Sequence, residues 1–286
     1  MSEGAIEEII ARCLLNPSFT ASLQHNSAEA LAPYGLEEGI RQQVESADFD
    51  KIQRFSGFIS KIQHNYLWES FPATRQLLRY YELELEVFTA YRPHQLSADA
   101  NHASRDERTR SFLDFLEAHL ANGPKVGTSY PGLSEVLQHE RAIWDLVSAT
   151  SKLDDEESSL LIEWTNLSWS AFQRLLPAIH GPMRLCVFDV DPEQVIRQLK
   201  EGTFAGIAPN TERSFFAYRI NRKTGYSSVL KFDSLSVSIL SRIDGKRSVR
   251  SVIASARRSG LGEIRPLAFR SFFEEIANMG IIRLDA

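Results

Sequence analysis

Apolar residues recur at intervals of three and four over most of the first 150 positions, a spacing that predicts amphipathic helices. The first stripe runs through Ile6, Ile9, Cys13 and Leu14, and Asn16-Pro17 ends it because a residue before proline avoids the α conformation. The same period predicts further helices around 19–24, 28–31, 36–43, 52–62, 67–91, 112–116 and 133–147. The polar stretch 92–110, which contains Pro93, predicts a surface loop.

The pattern changes after residue 180. Residues 183–190 are rich in strand formers, and Asp191 followed by Pro192 predicts a capped helix that ends at Gly202. Two strands are predicted over 214–220 and 226–232, and the residues 221–225 between them have the composition of a hairpin turn. Three short helices and a strand at 281–284 follow, which together with the hairpin predict a winged helix-turn-helix.

These patterns predict a mainly α (α+β) chain, with an N-terminal helical domain, a small α/β middle region and a C-terminal winged helix-turn-helix. The predicted regions are an N-terminal helical region at 1–62, a helical domain at 63–150, a linker with a small α/β region at 151–212, and a winged-helix domain at 213–286.

The composition is that of a globular protein: 286 residues, 43% hydrophobic and 24% charged. A cytoplasmic location is expected, since the sequence has no long apolar run, begins with acidic residues and has only two cysteines, Cys13 and Cys186, far apart. Nucleotide-binding glycine motifs, a His-Glu-x-x-His pair and a Gly-x-Ser-x-Gly turn are missing from the sequence, and no catalytic residue stands out. We therefore expect a protein that is not itself an enzyme.

The net charge of -5 is unevenly distributed. Residues 213–286 hold 14 Lys and Arg against 6 Asp and Glu, a net charge of +8, whereas residues 1–212 have a net charge of -13. A basic C-terminal region suits an acidic peptide or a nucleic acid.

Three interpretations compete for the C-terminal region. A DNA reader would place its third helix in the major groove, but that helix is crowded with phenylalanines and has a single central arginine, Arg270. A peptide reader would add a guest strand along the edge strand 226–232. The third interpretation is that the hairpin only covers its own core. The candidate peptide contacts are Tyr226, Ser227, Val229, Lys231, Arg270 and Phe273.

The segments at 215–220 (FFAYRI), 228–233 (SVLKFD), 239–249 (ILSRIDGKRSV) and 273–282 (FEEIANMGII) are similar to the PqqD-like recognition elements that bind leader peptides of ribosomally made natural products. The Asp244-Gly245 pair between the first two helices and Gly280 before the last strand match the positions of these residues in the PqqD-like family. The resemblance implies a winged helix that binds a leader peptide.

Upstream, residues 67–78 (LWESFPATRQLL) and 130–136 (YPGLSEV) resemble the helical domain of the TglI-like partner proteins. These proteins accompany multinuclear non-heme iron-dependent oxidative enzymes, and the resemblance covers about residues 50 to 286. It implies a heterodimer with a TglH-type enzyme, which uses dioxygen to excise the β-carbon of a C-terminal cysteine on a carrier peptide in 3-thiaglutamate biosynthesis. The iron is expected in that enzyme, with no cofactor in this chain.

Residues 63–72 combine aromatic rings with polar tips, which is typical of an interface anchor and equally of a helix start packed on a core. The candidate partner contacts are His64, Tyr66, Trp68 and Arg75. Arg75 and Arg79 could instead pair with the acidic residues that follow them.

His94, Asp99 and His102 could form a metal site or be ordinary polar surface residues. The surface interpretation is favoured, because a flexible loop does not hold metal ligands in a fixed geometry. No metal ligand is therefore assigned. Cys186 is interpreted as a small buried hydrophobe.

Overall fold

The computed structural model describes residues 2–97, 104–122, 130–150, 167–206, 212–220, 227–258 and 265–285. These residues are mainly helical and include small antiparallel sheets, so the predicted mainly α (α+β) class is confirmed. The chain divides into two packed units, one of Met1–Leu137 with Leu199–Thr203, the other of Gln138–Gln198 with Phe204–Ala286. No helix in the ranges above has the length and apolar character needed to cross a membrane.

The first unit is built from helices. Their bounds are α1 Ser2–Leu15, α2 Pro17–His25, α3 Ser27–Leu31, a 3-10 turn Ala32–Tyr34, α4 Glu38–Glu45, α5 Phe49–Gln63, α6 Leu67–Ser70, α7 Pro72–Tyr80, α8 Glu84–Ser97 and α9 Arg105–Asn122. α10, Leu133–Thr150, begins in the first unit and continues into the second.

The break between α1 and α2 follows the sequence. The side chain of Asn16 accepts a hydrogen bond from the amide of Phe19 (3.1 Å), and Pro17 occupies the first turn, where its missing N–H costs nothing. The apolar stripe of α1 is then buried in a small cluster formed by Ile9, Cys13, Phe19, Leu23 and Leu31.

A second core lies among α6, α8 and α9. The indole of Trp68 meets the rings of Phe88 and Phe112 edge-on, with centroids 5.6 and 6.0 Å away. Such edge-to-face contacts add to the energy gained from burying the rings.

The predicted loop over 92–110 is partly wrong, because α8 continues through Pro93 to Ser97 and α9 starts at Arg105. Tyr91 and Arg92 are only 2% and 3% exposed. The packing of these two side chains explains why the helix continues past a proline that removes one backbone hydrogen bond.

The second unit combines helices and short strands. After α10 come α11 Trp169–Phe172, β1 Leu176–Ile179, β2 Met183–Phe188, α12 Pro192–Glu201, β3 Ser214–Ile220, β4 Ser227–Phe232, α13 Ser234–Leu240, α14 Val249–Arg258, α15 Pro266–Asn278 and β5 Ile282–Asp285. The predicted hairpin strands, the three helices after them and the terminal strand are therefore present, with β1 as an unpredicted addition.

Strand pairing differs from the simple winged arrangement expected from the sequence. The hairpin β3–β4 is extended by β2, giving an antiparallel sheet in the order β2-β3-β4, whereas β5 pairs with β1 in a separate two-stranded sheet. The terminal strand thus pairs with a segment before the hairpin. Residues 176–179 (LPAI) form a four-residue apolar run that contains a proline and has no alternation, which explains why this strand was not predicted.

The packing of α5 against α8 generates a stability prediction. A Cβ at Gly57 would clash with Thr89 Oγ1 and lie 2.9 Å from Thr89 Cα, whereas a Cβ at Gly39 in α4 would meet nothing within 4 Å. We expect Gly57→Ala to lower the free energy of unfolding by about 1 to 3 kcal/mol, because the clash outweighs the better helix propensity of alanine.

Gly39→Ala is the matched control and should raise the free energy of unfolding by up to about 1 kcal/mol. Urea unfolding followed by circular dichroism measures both variants. A Gly57→Ala protein as stable as Gly39→Ala would contradict the close approach of α5 and α8.

Candidate functional site

The three-stranded sheet has two apolar faces because side chains alternate along each strand. On one face Phe216, Tyr218 and Ile220 of β3 pack with Ala142 and Leu146 of α10. On the opposite face the sheet contributes to the core formed mainly by α13, α14 and α15, and its residues there are Met183, Leu185, Leu230 and Phe232. The sheet is therefore held on both faces, and its free sides are its edges.

β4 is one of these edges. It pairs with β3 from Ser227 opposite Ile220 to Phe232 opposite Phe215. In the described ranges no strand pairs with the outer side of β4. Its outward backbone N–H and C=O groups form the kind of edge that takes an added strand.

A salt bridge fixes Lys231 of β4 next to α12. The Lys231 Nζ donates to Asp191 Oδ2, and Asp191 Oδ1 accepts from the amides of Glu193 (3.0 Å) and Gln194 (3.2 Å) at the start of the helix. Asp191 thus caps α12, as predicted, and also holds Lys231, whose side chain is 52% exposed.

A buried hydrogen bond joins α10 to the middle of β3. His139 Nδ1 and the Tyr218 hydroxyl are 2.8 Å apart, and the two residues are 6% and 1% exposed. Burial lowers the pKa of His139 to about 4 and raises that of Tyr218. Both groups are therefore neutral at pH 7, and they position the central strand.

Arg219 of β3 is a feature that the sequence reasoning did not single out. It stands opposite Ser228 of β4, and its guanidinium lies beside Gly280, just after α15, with Nη1 3.6 Å from a Cβ built there. Burial lowers its pKa, and its buried Nε has no hydrogen-bond partner among the described residues. The available signal was a charged residue inside an otherwise apolar strand.

Arg270 and Phe273 of α15 are held inside the second unit. Phe273 is 0% exposed and packs against Phe172, so it is a core residue in this structure. Arg270 pairs with Glu274 (2.7 Å) and donates to the carbonyl of Leu167 (3.0 Å). Of the candidate peptide contacts, β4 therefore presents Ser227, Val229 and Lys231 together, while Tyr226 lies outside the described residues.

The candidate partner contacts lie in the first unit and are mostly buried. His64 and Trp68 are 3% and 5% exposed, and Tyr66 is half-buried. Arg75 donates to Glu84 (2.9 Å), a carboxylate that also pairs with Lys61 (2.7 Å). These positions match the alternative of a helix start packed on a core.

Arg79 also pairs with Glu84 (3.2 Å), so three cations surround one carboxylate that is 7% exposed. The pKa of Glu84 is lowered although burial alone would raise it, because these cations donate to it. The pairing of Arg75 and Arg79 with a following acidic residue was the second option that the sequence left open.

No cluster of three His, Cys, Asp or Glu side chains with a geometry for metal binding occurs within the part of the chain described. His94 packs against Phe115 with centroids 4.9 Å apart, and Asp99 and His102 lie outside the described residues. Cys186 is half-buried on the sheet, where burial raises the pKa of its thiol.

No protein-family model matches the chain, and no curated protein matches it.

The His139–Tyr218 pair predicts a pH effect on stability. Because the folded pKa of His139 lies near 4 and that of an unfolded histidine near 6.5, the unfolded chain binds more protons between these values, and this pair's contribution falls as the pH drops from about 6.5 towards 4. The asparagine in His139→Asn has an oxygen near the position of Nδ1 and does not titrate in this range.

We expect the stability lost by the natural chain between pH 7 and pH 4.5 to exceed that lost by His139→Asn by up to about 3 kcal/mol. Urea unfolding at the two pH values measures the difference. Equal losses in both proteins would show that His139 is not buried in its neutral form.

Proposed function

We propose that this chain is a non-catalytic subunit that binds a carrier peptide by adding it as a strand to the outer edge of β4. The observation that carries this proposal is the position of β4 at the edge of a sheet packed on both faces. Because the packing fixes the strand before any guest arrives, a peptide pays little to order the protein.

The side chains around β4 support an acidic guest. Lys231 is half-exposed on the strand, and Arg219 lies one strand away with a buried donor that no described residue uses. A guest carboxylate near the exposed part of the Arg219 guanidinium would gain charge-assisted hydrogen bonds, which are the stronger kind. Main-chain bonds would then supply affinity, and the two cations would select acidic positions.

The proposal includes a catalytic partner. The resemblance to TglI-like proteins supports a complex with a TglH-type non-heme iron enzyme that excises the β-carbon of a C-terminal cysteine in 3-thiaglutamate biosynthesis. In such a complex this chain raises the effective concentration of the peptide at the iron site, which is held by the partner, in the cytoplasm. Turnover by the isolated chain, or stoichiometric iron bound to it, would contradict this assignment.

A winged-helix DNA-binding regulator is the alternative from a different class. The structure buries Phe269 and Phe273 of α15 and commits Arg270 to Glu274 and Leu167, so the helix presents little for reading bases. Binding to specific DNA that weakens steeply with salt would favour this alternative.

Proline substitutions on adjacent residues of β4 test the strand addition. Successive backbone N–H groups of an edge strand point alternately towards its partner strand and away from it. Of the variants Ser228→Pro and Val229→Pro, one therefore loses a backbone hydrogen bond to β3, and the other loses only an N–H that points outward. We expect the outward variant to fold normally and to bind an acidic carrier peptide about ten-fold more weakly or worse than the natural chain does.

The matched control is the same pair of substitutions on β2, the opposite edge, at Leu185 and Cys186. The outward variant there should keep its peptide affinity. Fluorescence anisotropy of labelled peptide on the full-length chain, with circular dichroism as the folding check, gives both readings. Unchanged affinity in a folded, outward β4 variant would rule out addition at this edge.

Arg219→Met tests the cation behind the edge. We expect this variant to lose no stability, because the guanidinium is partly buried without a counter-charge in the described residues. Its affinity for the peptide should be lower by about ten-fold or more and should depend less on the salt concentration. Arg213→Met is the control, because Arg213 is 71% exposed and pairs with Asp189. Equal affinities of the two variants would exclude Arg219 from peptide recognition.

A further inference from the structure

In the first unit, Arg92 and Arg108 have no carboxylate partner among the described residues, and both lie where α8 and α9 meet the turn between α5 and α6. Arg92 of α8 is 3% exposed, and its Nη1 donates to the amide oxygens of Gln63 (3.1 Å) and Gln95 (3.0 Å). Its Nε is buried and has no hydrogen-bond partner in the ranges that the structure describes. A buried guanidinium held only by neutral amides is costly unless an anion joins it.

Arg108 of α9 is the second arginine of this group. Its Nε is also buried without a hydrogen-bond partner among the described residues, and its guanidinium lies 5.9 Å from the centre of the Tyr66 ring. Arg105 lies over the same ring at 4.9 Å and pairs with Glu69 (2.8 Å).

His64 connects these groups. Its Nδ1 lies 2.8 Å from the carbonyl of Ser60, and its ring meets that of Tyr91 edge-on with centroids 5.6 Å apart. Burial lowers the pKa of His64, and the neighbouring Arg108 and Arg92 lower it further. Both guanidiniums therefore act on the same neutral imidazole.

We propose that Arg92 and Arg108, with the rings of His64 and Tyr66 as walls, form a binding site for an oxyanion, either a carboxylate or a phosphate. Two guanidiniums with unused donors match the paired oxygens of such a group. Arg105, whose side chain is 57% exposed and whose guanidinium lies over the Tyr66 ring, would attract an anion towards these residues. The site is far in sequence from β4 and does not depend on peptide binding there.

Thermal unfolding of the full-length chain tests the site. Inorganic phosphate or malonate at about 10 mM is compared with chloride at equal ionic strength, and binding at ten times the dissociation constant should raise Tm by about 3 to 6 °C. A larger rise in Tm with phosphate identifies a tetrahedral oxyanion as the ligand, and a larger rise with malonate identifies a carboxylate.

Arg92→Met and Arg108→Met should lose this response, whereas Arg54→Met, on an exposed position of α5, should keep it. The control separates site binding from the general effect of anions on protein stability, which all variants share. If Arg92→Met does not fold, the half-buried Arg108 decides the test.

Two results would overturn the proposal. One is a natural chain whose Tm responds to phosphate and malonate no more than to chloride, as expected if the guanidiniums already have a counter-charge. The other is a full response in either folded variant of the site.

Discussion

The pairing of β3 with strands on both of its sides is the interaction on which the second unit depends. β3 supplies side chains to the core with α10 on one face and lies in the sheet that meets α13, α14 and α15 on the other. This packing fixes the central strand, and in the sheet order β2-β3-β4 the strand β4 lies at an edge. A rigid edge is what strand addition requires, because a guest then meets hydrogen-bonding groups that are already aligned.

The net charge does not show which charged side chains are paired in the structure and which are not. Glu84 gathers three cations, and Asp191 joins Lys231 to the start of α12. Arg219 and Arg92, in contrast, are partly or fully buried and keep a donor without a protein partner in the described residues. Since an unpaired buried donor costs free energy, each is a place where a bound anion would stabilise the fold.

Local rules predicted most of the secondary structure because they depend on neighbours in sequence. Asn16-Pro17 marks the end of α1 and the start of α2, and Asp191-Pro192 marks the start of α12. The composition of β3 likewise identifies it as a strand. The pairing of β5 with β1 and the burial of Phe273, His64 and Trp68 depend on distant segments, so periodicity could not reveal them. The candidate site was predicted as a strand; the sequence marks Arg219 as a charge in an apolar strand, but only the packing shows its buried, unpaired Nε.

Hydrogen–deuterium exchange of the full-length chain, with and without an acidic carrier peptide that it binds, tests the central claim most directly. Strand addition predicts that alternate amides of Ser227–Phe232 gain protection when the peptide binds, while β2, the opposite edge, is unchanged. Peptide binding that protects β2 or the helices and leaves the β4 amides exchanging as before would contradict the account.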